Sequence, residues 1–187
     1  MKRAMILALL VISFILTSAI LANAKELIIE NSDFESTAKP REEELFFGWN
    51  PYYSGETNAT IVTEKAAEGV RSLKLVGIEG EYVGVRSVRI PIEPGKEYTI
   101  SLQAFTEEIE DPGIFQVLLE FWPVGYVGSS SKMRLDYRKI RGRDTKGWYS
   151  MSGRIVAPLF TDSASIFISI SDIEGTVYVD DIRLTQE

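Results

Sequence analysis

Short runs in which apolar and polar residues alternate recur along the chain after residue 24, and no window of helical length has the apolar spacing of an amphipathic helix. The runs are rich in β-branched and aromatic residues, which favours strands. They cover residues 73–76, 88–92, 98–105, 115–122, 154–156, 166–170 and 176–184. Turn sequences such as Pro94-Gly95 and Pro112-Gly113 separate several of them. This pattern predicts an all-β fold, an antiparallel sandwich or a barrel.

The first 24 residues have the composition of an export signal. Lys2 and Arg3 precede an apolar run over residues 4–21, and Ala22-Asn23-Ala24 offers small residues for cleavage. We predict a signal peptide over residues 1–24 and one secreted domain over residues 25–187. Retention of the segment as a membrane anchor is the alternative. In both cases the domain faces outside, and after cleavage we expect no stable membrane insertion.

The residue inventory excludes several kinds of catalytic site. The 187 residues include no Cys and no His, which removes disulfides, thiolate nucleophiles, Ser-His-Asp triads and zinc sites of the His/Cys type. The net charge is −7, and it becomes −9 when Lys2 and Arg3 are removed. Nucleic-acid binding requires an excess of Lys and Arg, so we expect no nucleic-acid partner.

Two of the predicted strands, residues 98–105 and 115–122, combine an apolar face with a face suited to sugars. The outward-facing candidates are Gln103, Phe105, Gln116, Glu120 and Trp122. If the two strands are neighbours in one sheet, these side chains share one surface. Aromatic rings stack on the C–H faces of sugar rings, while amides and carboxylates bind the hydroxyls. The pattern therefore indicates a sugar-binding surface.

An ordered series of motifs extends over the same region. It consists of Asn31-Ser32-Asp33-Phe34-Glu35, Gly48-Trp49, Gly69-Val70-Arg71-Ser72-Leu73-Lys74-Leu75, Glu93-Pro94-Gly95-Lys96-Glu97-Tyr98-Thr99-Ile100-Ser101, Trp148, Ala157-Pro158 and Val177-Tyr178-Val179-Asp180-Asp181-Ile182-Arg183-Leu184. In this order the chain resembles, over about residues 27–187, the carbohydrate-binding modules of the group that contains families 4, 9 and 22. The resemblance implies a galactose-binding-domain-like jelly roll that is monomeric and non-catalytic. It also implies recognition of a polysaccharide or oligosaccharide on the concave sheet face.

The resemblance further implies a structural calcium ion that joins the first and last strands. In the resembling modules a Glu, an Asp and backbone carbonyls hold the ion, which prefers such hard oxygen ligands. The matching residues are Glu35, Asp180, Asp181 and the backbone carbonyl of Lys74. Alternation directs Asp180 inward, where a carboxylate needs a partner, so Asp180 is favoured over Asp181. The alternative is that Glu35 and Asp180 pair with Arg or cap a turn.

The resemblance and the strand faces together give a set of ligand-binding candidates. The aromatic candidates are Trp122, Phe105, Tyr82 and Tyr126, and the hydrogen-bonding candidates are Gln103, Gln116, Glu120 and Arg89. The alternative for Trp122 is that it ends a strand against a loop. Trp49 and Trp148 match core tryptophans of the resembling modules, so we expect both to pack in the core.

Other functions stay open at this point. The basic stretch from Lys132 to Lys146 either faces an anionic polysaccharide or is a solvated strand and loop. A structural or adhesive surface domain is the first alternative to sugar binding. A small polysaccharide lyase or glycoside hydrolase is the second. A lyase needs a base such as Tyr137 beside Arg138, and no motif selects the pair of carboxylates that hydrolysis needs.

Overall fold

The computed structural model describes residues 24–107, 114–128, 130, 133–134, 136–141, 147–172 and 174–187. Residues 1–23 of the predicted signal peptide and parts of the basic stretch lie outside this range. The side chains of Tyr137 and Arg138, the lyase candidates, also lie outside it. Within the described part of the chain, no helix has the length and apolar character that crossing a membrane requires.

Twelve strands and one short helix form the described part of the chain. The strands are β1 (Lys25–Leu27), β2 (Trp49–Tyr53), β3 (Ala59–Val62), β4 (Ser72–Gly77), β5 (Tyr82–Ser87), β6 (Ile90–Pro91), β7 (Glu97–Glu107), β8 (Ile114–Pro123), β9 (Asp136–Arg141), β10 (Tyr149–Val156), β11 (Thr161–Ser171) and β12 (Gly175–Gln186). The helix, α1, is Gly55–Asn58. Every predicted run falls on a strand, although the run over 88–92 contributes only the two residues of β6.

The strands form two six-stranded sheets in which every pair is antiparallel. The first sheet has the order β10-β7-β12-β4-β3, with β1 also paired to β12. The second sheet has the order β2-β5-β11-β8-β9, with β6 also paired to β11. The predicted antiparallel β-sandwich is confirmed. The condition for a shared surface, that residues 98–105 and 115–122 are neighbours in one sheet, is not met, because β7 lies in the first sheet and β8 in the second.

The core lies between the two sheets and follows the alternation in the sequence. On β7 the inward set is Tyr98, Ile100, Leu102 and Ala104, and on β8 it is Phe115, Val117, Leu119 and Phe121. All eight side chains are buried in one cluster. Burial of these apolar side chains supplies the main favourable free energy of folding.

The two tryptophans that we expected in the core have different positions. Trp49 is fully buried, and its ring centroid lies 5.5 Å from that of Phe34. Its indole N–H donates to the carbonyl of Asn31, 3.2 Å away. Trp148 is only half-buried and packs on the outside of the first sheet against Phe105, so the core prediction is wrong for Trp148.

We expect Leu119→Ala to lower the free energy of unfolding by about 2–5 kcal/mol, because the truncation leaves a cavity between the sheets. Leu119 has no exposed surface. Urea denaturation measures the change. The matched control is Val127→Ala, which removes methyl groups from a side chain that is 96% exposed and should change stability by less than about 0.5 kcal/mol. Equal effects of the two substitutions would contradict this core assignment.

Candidate functional site

The outer face of the second sheet is largely covered by other parts of the chain. Cross-strand pairing puts Glu120 opposite Ser165 and Phe167 opposite Arg86. All four side chains are buried, although they point away from the core between the sheets. A sheet face that meets solvent normally carries exposed polar side chains. Here the central strands β8 and β11 have a second buried layer instead.

A buried ion cluster forms the middle of this layer. The carboxylate of Glu120 has no exposed surface and lies between two guanidinium groups. Arg86 Nε is 3.0 Å from Glu120 Oε2 in an ion pair whose angle is not that of a hydrogen bond. Arg134 Nη1 donates to Glu120 Oε1. Removing one member of a buried ion pair leaves an uncompensated charge and is strongly destabilising, so Glu120 serves to hold the layer together.

Three of the predicted sugar contacts are therefore unavailable to a ligand. Glu120 is engaged by the two arginines. The indole N–H of Trp122 donates to Ser165 Oγ, 2.9 Å away, and Gln116 Nε2 donates to Ser169 Oγ, 3.2 Å away. Trp122 has no exposed surface. The prediction that Trp122, Glu120 and Gln116 lie on an open binding surface is wrong, because the second layer covers them.

Arg89 and Tyr126 form the cover over Trp122. The guanidinium carbon of Arg89 lies 3.8 Å from the centroid of the indole. The ring of Tyr126 stacks on the indole, with ring centroids 5.7 Å apart. Arg89 also donates to the carbonyl of Gly128. Burial, together with the nearby charge of Arg86, lowers the pKa of Arg89 to about 10. The group stays protonated at neutral pH, and the stacking holds its plane in place.

A cavity of about 540 Å³ opens beside this stack, which is within the range of ligand pockets, about 300–1,000 Å³. Its polar lining includes Glu43, Asn50, Tyr52, Arg86 and Arg89. Asn50 and Tyr52 belong to β2 at the edge of the sheet, where Pro51 is tolerated because an edge strand has unpaired backbone positions. The sequence predicts a ligand-binding role for Arg89 and gives no such signal for the other four residues.

Three tyrosines form an exposed platform at one end of the cavity. The ring centroids of Tyr52 and Tyr53 are 4.3 Å apart, and those of Tyr53 and Tyr82 are 5.3 Å apart. Tyr82 is 43% exposed and Tyr53 is 63% exposed. Tyr53 has a φ of +53°, which is unfavourable for a bulky side chain. Such strain is characteristic of functional sites, and here it accompanies an exposed aromatic ring.

A glycine makes room for the inner side of the platform. Gly84 lies opposite Tyr52, and a Cβ atom at this position would come within 2.9 Å of the Phe167 ring. The rings of Tyr52 and Phe167 instead meet edge to face, with centroids 4.8 Å apart. The guanidinium of Arg86 lies 4.1 Å from the Tyr52 ring centroid. The platform is therefore anchored to the buried ion cluster through Arg86.

The two remaining predicted contacts, Gln103 and Phe105, lie on the outer face of the first sheet. Phe105 contacts Trp148 and Tyr178, with centroid distances of 5.8 and 6.0 Å. Gln103 Nε2 donates to Ser150 Oγ, 3.0 Å away, at a cavity of about 240 Å³. The eight predicted ligand residues are thus divided between the two opposite faces of the sandwich.

The two predicted calcium ligands Glu35 and Asp180 accept hydrogen bonds from the same loop. Glu35 Oε1 accepts hydrogen bonds from the backbone N–H groups of Val70 and Arg71, at 2.6 and 2.7 Å. Asp180 Oδ2 accepts from those of Ala67 and Glu68, at 2.8 and 3.1 Å. Asp180 is fully buried, and burial raises its pKa.

The other two predicted calcium ligands are engaged elsewhere. Lys74 Nζ pairs with Glu64 at 2.6 Å, and Lys74 has a strand partner on each side, Thr60 and Tyr178. Asp181 pairs with Arg183 Nε at 2.8 Å. Among the described residues, no group of three or more acidic side chains is placed to hold a metal ion. This donor set fits a hydrogen-bonded clamp better than a multi-carboxylate site, and calcium stays a prediction.

The comparisons with known proteins identify the fold. No protein-family model and no curated protein sequence matches the chain. Solved structures do match. The CBM22-1 xylan-binding domain of Xyn10C from Paenibacillus barcinonensis has a TM-score of 0.60 at 14% identity, over 87% of this chain and 95% of that domain.

TmCBM61 in complex with β-1,4-galactotriose has a TM-score of 0.57 at 16% identity, over 87% of this chain and 99% of that one. The enzymatically active domain of tailspike protein 4 from bacteriophage CBA120 has a TM-score of 0.60 at 13% identity. The match covers 83% of this chain and only 22% of the tailspike chain. The predicted resemblance to the jelly roll of carbohydrate-binding modules is confirmed for the fold.

The calcium prediction is tested by thermal unfolding. An ion that binds only the folded state raises stability with its concentration, so the melting temperature should rise in millimolar calcium and fall in excess chelator. The hydrogen bonds of Glu35 and Asp180 require neither change. An equal melting temperature under both conditions would contradict the calcium site and leave the clamp as the explanation of the two carboxylates.

We expect Trp122→Ala to destabilise the protein by about 3–5 kcal/mol, because it removes a fully buried indole and uncovers the ion cluster. Tyr82→Ala, which truncates a partly exposed ring, is the control and should cost much less. Urea denaturation of both variants measures the difference. Unchanged stability of Trp122→Ala together with loss of glycan binding would contradict a structural role for the buried indole.

Proposed function

We propose that this protein is a non-catalytic carbohydrate-binding domain whose ligand lies along the cavity beside β2 and on the tyrosine platform. The observation that carries the proposal is the 63% exposed ring of Tyr53, whose backbone has a φ of +53°, next to a cavity of about 540 Å³. An exposed aromatic ring stacks on the apolar C–H face of a sugar, while the cavity supplies partners for its hydroxyls.

The polar lining suits hydroxyl groups. Asn50 provides an amide that both donates and accepts, and Tyr52 provides a phenol with the same capacity. Arg89 provides further donors in the lining of the cavity. A sugar has several hydroxyls in fixed directions around its ring, and a small number of placed polar groups can select among them.

Comparison with solved structures supports the class of ligand. Of the proteins with the same fold, one is a xylan-binding domain and another is a complex with β-1,4-galactotriose. At 14–16% identity these matches concern the fold alone. The ligand assignment here depends on the exposed tyrosines and the cavity, which are features of this chain.

The cavity lacks the groups of a glycosidase. Hydrolysis of a glycosidic bond ordinarily uses two carboxyl groups about 5–9 Å apart. Among the described residues that line the cavity, Glu43 is the one carboxylate. Glu120, behind the wall, is held by two arginines. We therefore propose binding without bond cleavage, by a secreted monomer if residues 1–24 act as the signal peptide.

We expect affinity electrophoresis against soluble neutral and acidic polysaccharides to retard the protein with at least one polymer. Tyr53→Ala should weaken that binding about tenfold, because it removes the stacking surface. Its melting temperature should stay unchanged, since the ring is mostly exposed.

Phe105→Ala is the matched control, because it removes an aromatic ring from the outer face of the other sheet. Binding lost in Phe105→Ala and kept in Tyr53→Ala would move the site to the first sheet. No retardation by any polymer would overturn the proposal. Release of reducing or unsaturated ends from a polymer would show that the protein is an enzyme.

A further inference from the structure

We infer that the saccharide bound in this cavity carries carboxylate groups, as in a polymer of uronic acids, and that Arg89 pairs with one of them. The inference rests on the proposed function and adds the chemical class of the ligand. Its basis is the guanidinium of Arg89, a positive charge at the cavity wall of a chain whose net charge is −7.

Two guanidinium groups pair with one buried carboxylate at this place, and a third, that of Arg89, lies nearby. Glu120 uses one oxygen for Arg86 and the other for Arg134. Arg89 forms no ion pair with an acidic side chain in the described part of the chain. Its Nη1 is buried without a hydrogen-bond partner among the same residues. Arg89 therefore brings to the cavity wall a positive charge that has no ion-pair partner in the described part of the chain.

Two other acidic groups lie near Arg89 and do not neutralise it. Asp162, on β11, uses its carboxylate to accept hydrogen bonds from the N–H of Gly125 and the hydroxyl of Ser163, at 2.7 and 2.9 Å. Glu43 lines the cavity as an exposed side chain and forms no ion pair with Arg89. Both side chains are exposed, so water and salt screen the attraction between their carboxylates and the guanidinium.

The environment of Arg89 favours an anionic ligand. Burial and the charge of Arg86 lower its pKa to about 10, and the attraction of Glu120 and Asp162 offsets this lowering only in part. A carboxylate that enters the cavity supplies the missing charge. The guanidinium is held flat against Trp122 at 3.8 Å, which fixes the directions of its N–H groups, and a charge-assisted hydrogen bond to a carboxylate is stronger than one between neutral groups.

The other walls of the cavity explain why the anion is part of a sugar. Tyr52 lines the cavity and continues into the exposed rings of Tyr53 and Tyr82. A free inorganic anion makes no use of three aromatic rings. A uronic acid has both a C–H face, which stacks on a ring, and a carboxylate at one end, which reaches a guanidinium.

The first experiment changes only the ligand. Polygalacturonate and the same polymer after chemical reduction of its carboxyl groups are compared by affinity electrophoresis and isothermal titration calorimetry with the wild-type protein. We expect the acidic polymer to bind at least tenfold more tightly at low salt, and its affinity to fall as salt is raised. Equal affinity for the two polymers overturns the inference and leaves the proposed function intact.

The second experiment changes only the protein. Arg89→Gln should lower the affinity for the acidic polymer about tenfold, because it removes a charge-assisted pair, and should leave the affinity for the reduced polymer nearly unchanged. Arg89→Lys keeps the charge without the fork and should be intermediate. Arg154→Gln makes the same charge change at an exposed site on β10, in the other sheet, and should have no effect.

The outcomes separate the two levels of the proposal. Loss of binding in Arg154→Gln to the same extent as in Arg89→Gln means non-specific attraction and overturns the role of Arg89. Tight binding of the reduced polymer alone overturns the anionic class. Absence of binding to both polymers and to every neutral polymer overturns the proposed function itself. If Arg89→Gln fails to fold, the comparison of the two polymers with wild-type protein still decides.

Discussion

The buried carboxylate of Glu120 is the constraint on which the site depends. A carboxylate without exposed surface is stable only with charged partners, and here it has Arg86 from β5 and Arg134 from the segment before β9. These partners bring side chains and loops over the outer face of the second sheet. Arg89 and Tyr126 then close over Trp122. The cavity beside β2 opens next to this layer.

The same principle operates on the first sheet with a different partner. Asp180 is as deeply buried as Glu120, and backbone N–H groups of Ala67 and Glu68 satisfy its carboxylate. Glu35 binds the following N–H groups of the same loop. A buried carboxylate thus requires charged or hydrogen-bonding partners. These are guanidinium groups in the second sheet and backbone N–H groups in the first. Glu35 and Asp180 both accept hydrogen bonds from one loop, which agrees with the expectation that an inward Asp180 needs a partner.

The alternation of apolar and polar residues predicts some features of this fold and leaves others undetermined. Alternation assigns side chains to faces of a strand, and the inward sets of β7 and β8 agree with it. It contains no information on which sheet a strand joins, so Gln103 and Gln116 were expected on one surface and lie on opposite sides of the sandwich. β2 and β5 were missed because Pro51 and Gly84 interrupt their patterns. These two strands carry Tyr52, Tyr53 and Arg86, and the site was incomplete without them.

The two outer faces differ in a way that bears on where a ligand binds. On the first sheet, the charges around the aromatic group are paired, Lys65 with Glu107 and Lys74 with Glu64. These two ion pairs leave neither lysine as an unpaired cation for a ligand to neutralise. Around the cavity of the second sheet, Tyr53 carries backbone strain beside an exposed ring, and Arg89 carries a charge without an ion pair among the described residues. Both features cost stability in the free protein, and a carboxylated sugar would offset both, by stacking on the ring and by pairing with the guanidinium. The location of these costs at one cavity is the physical argument for placing the binding site there.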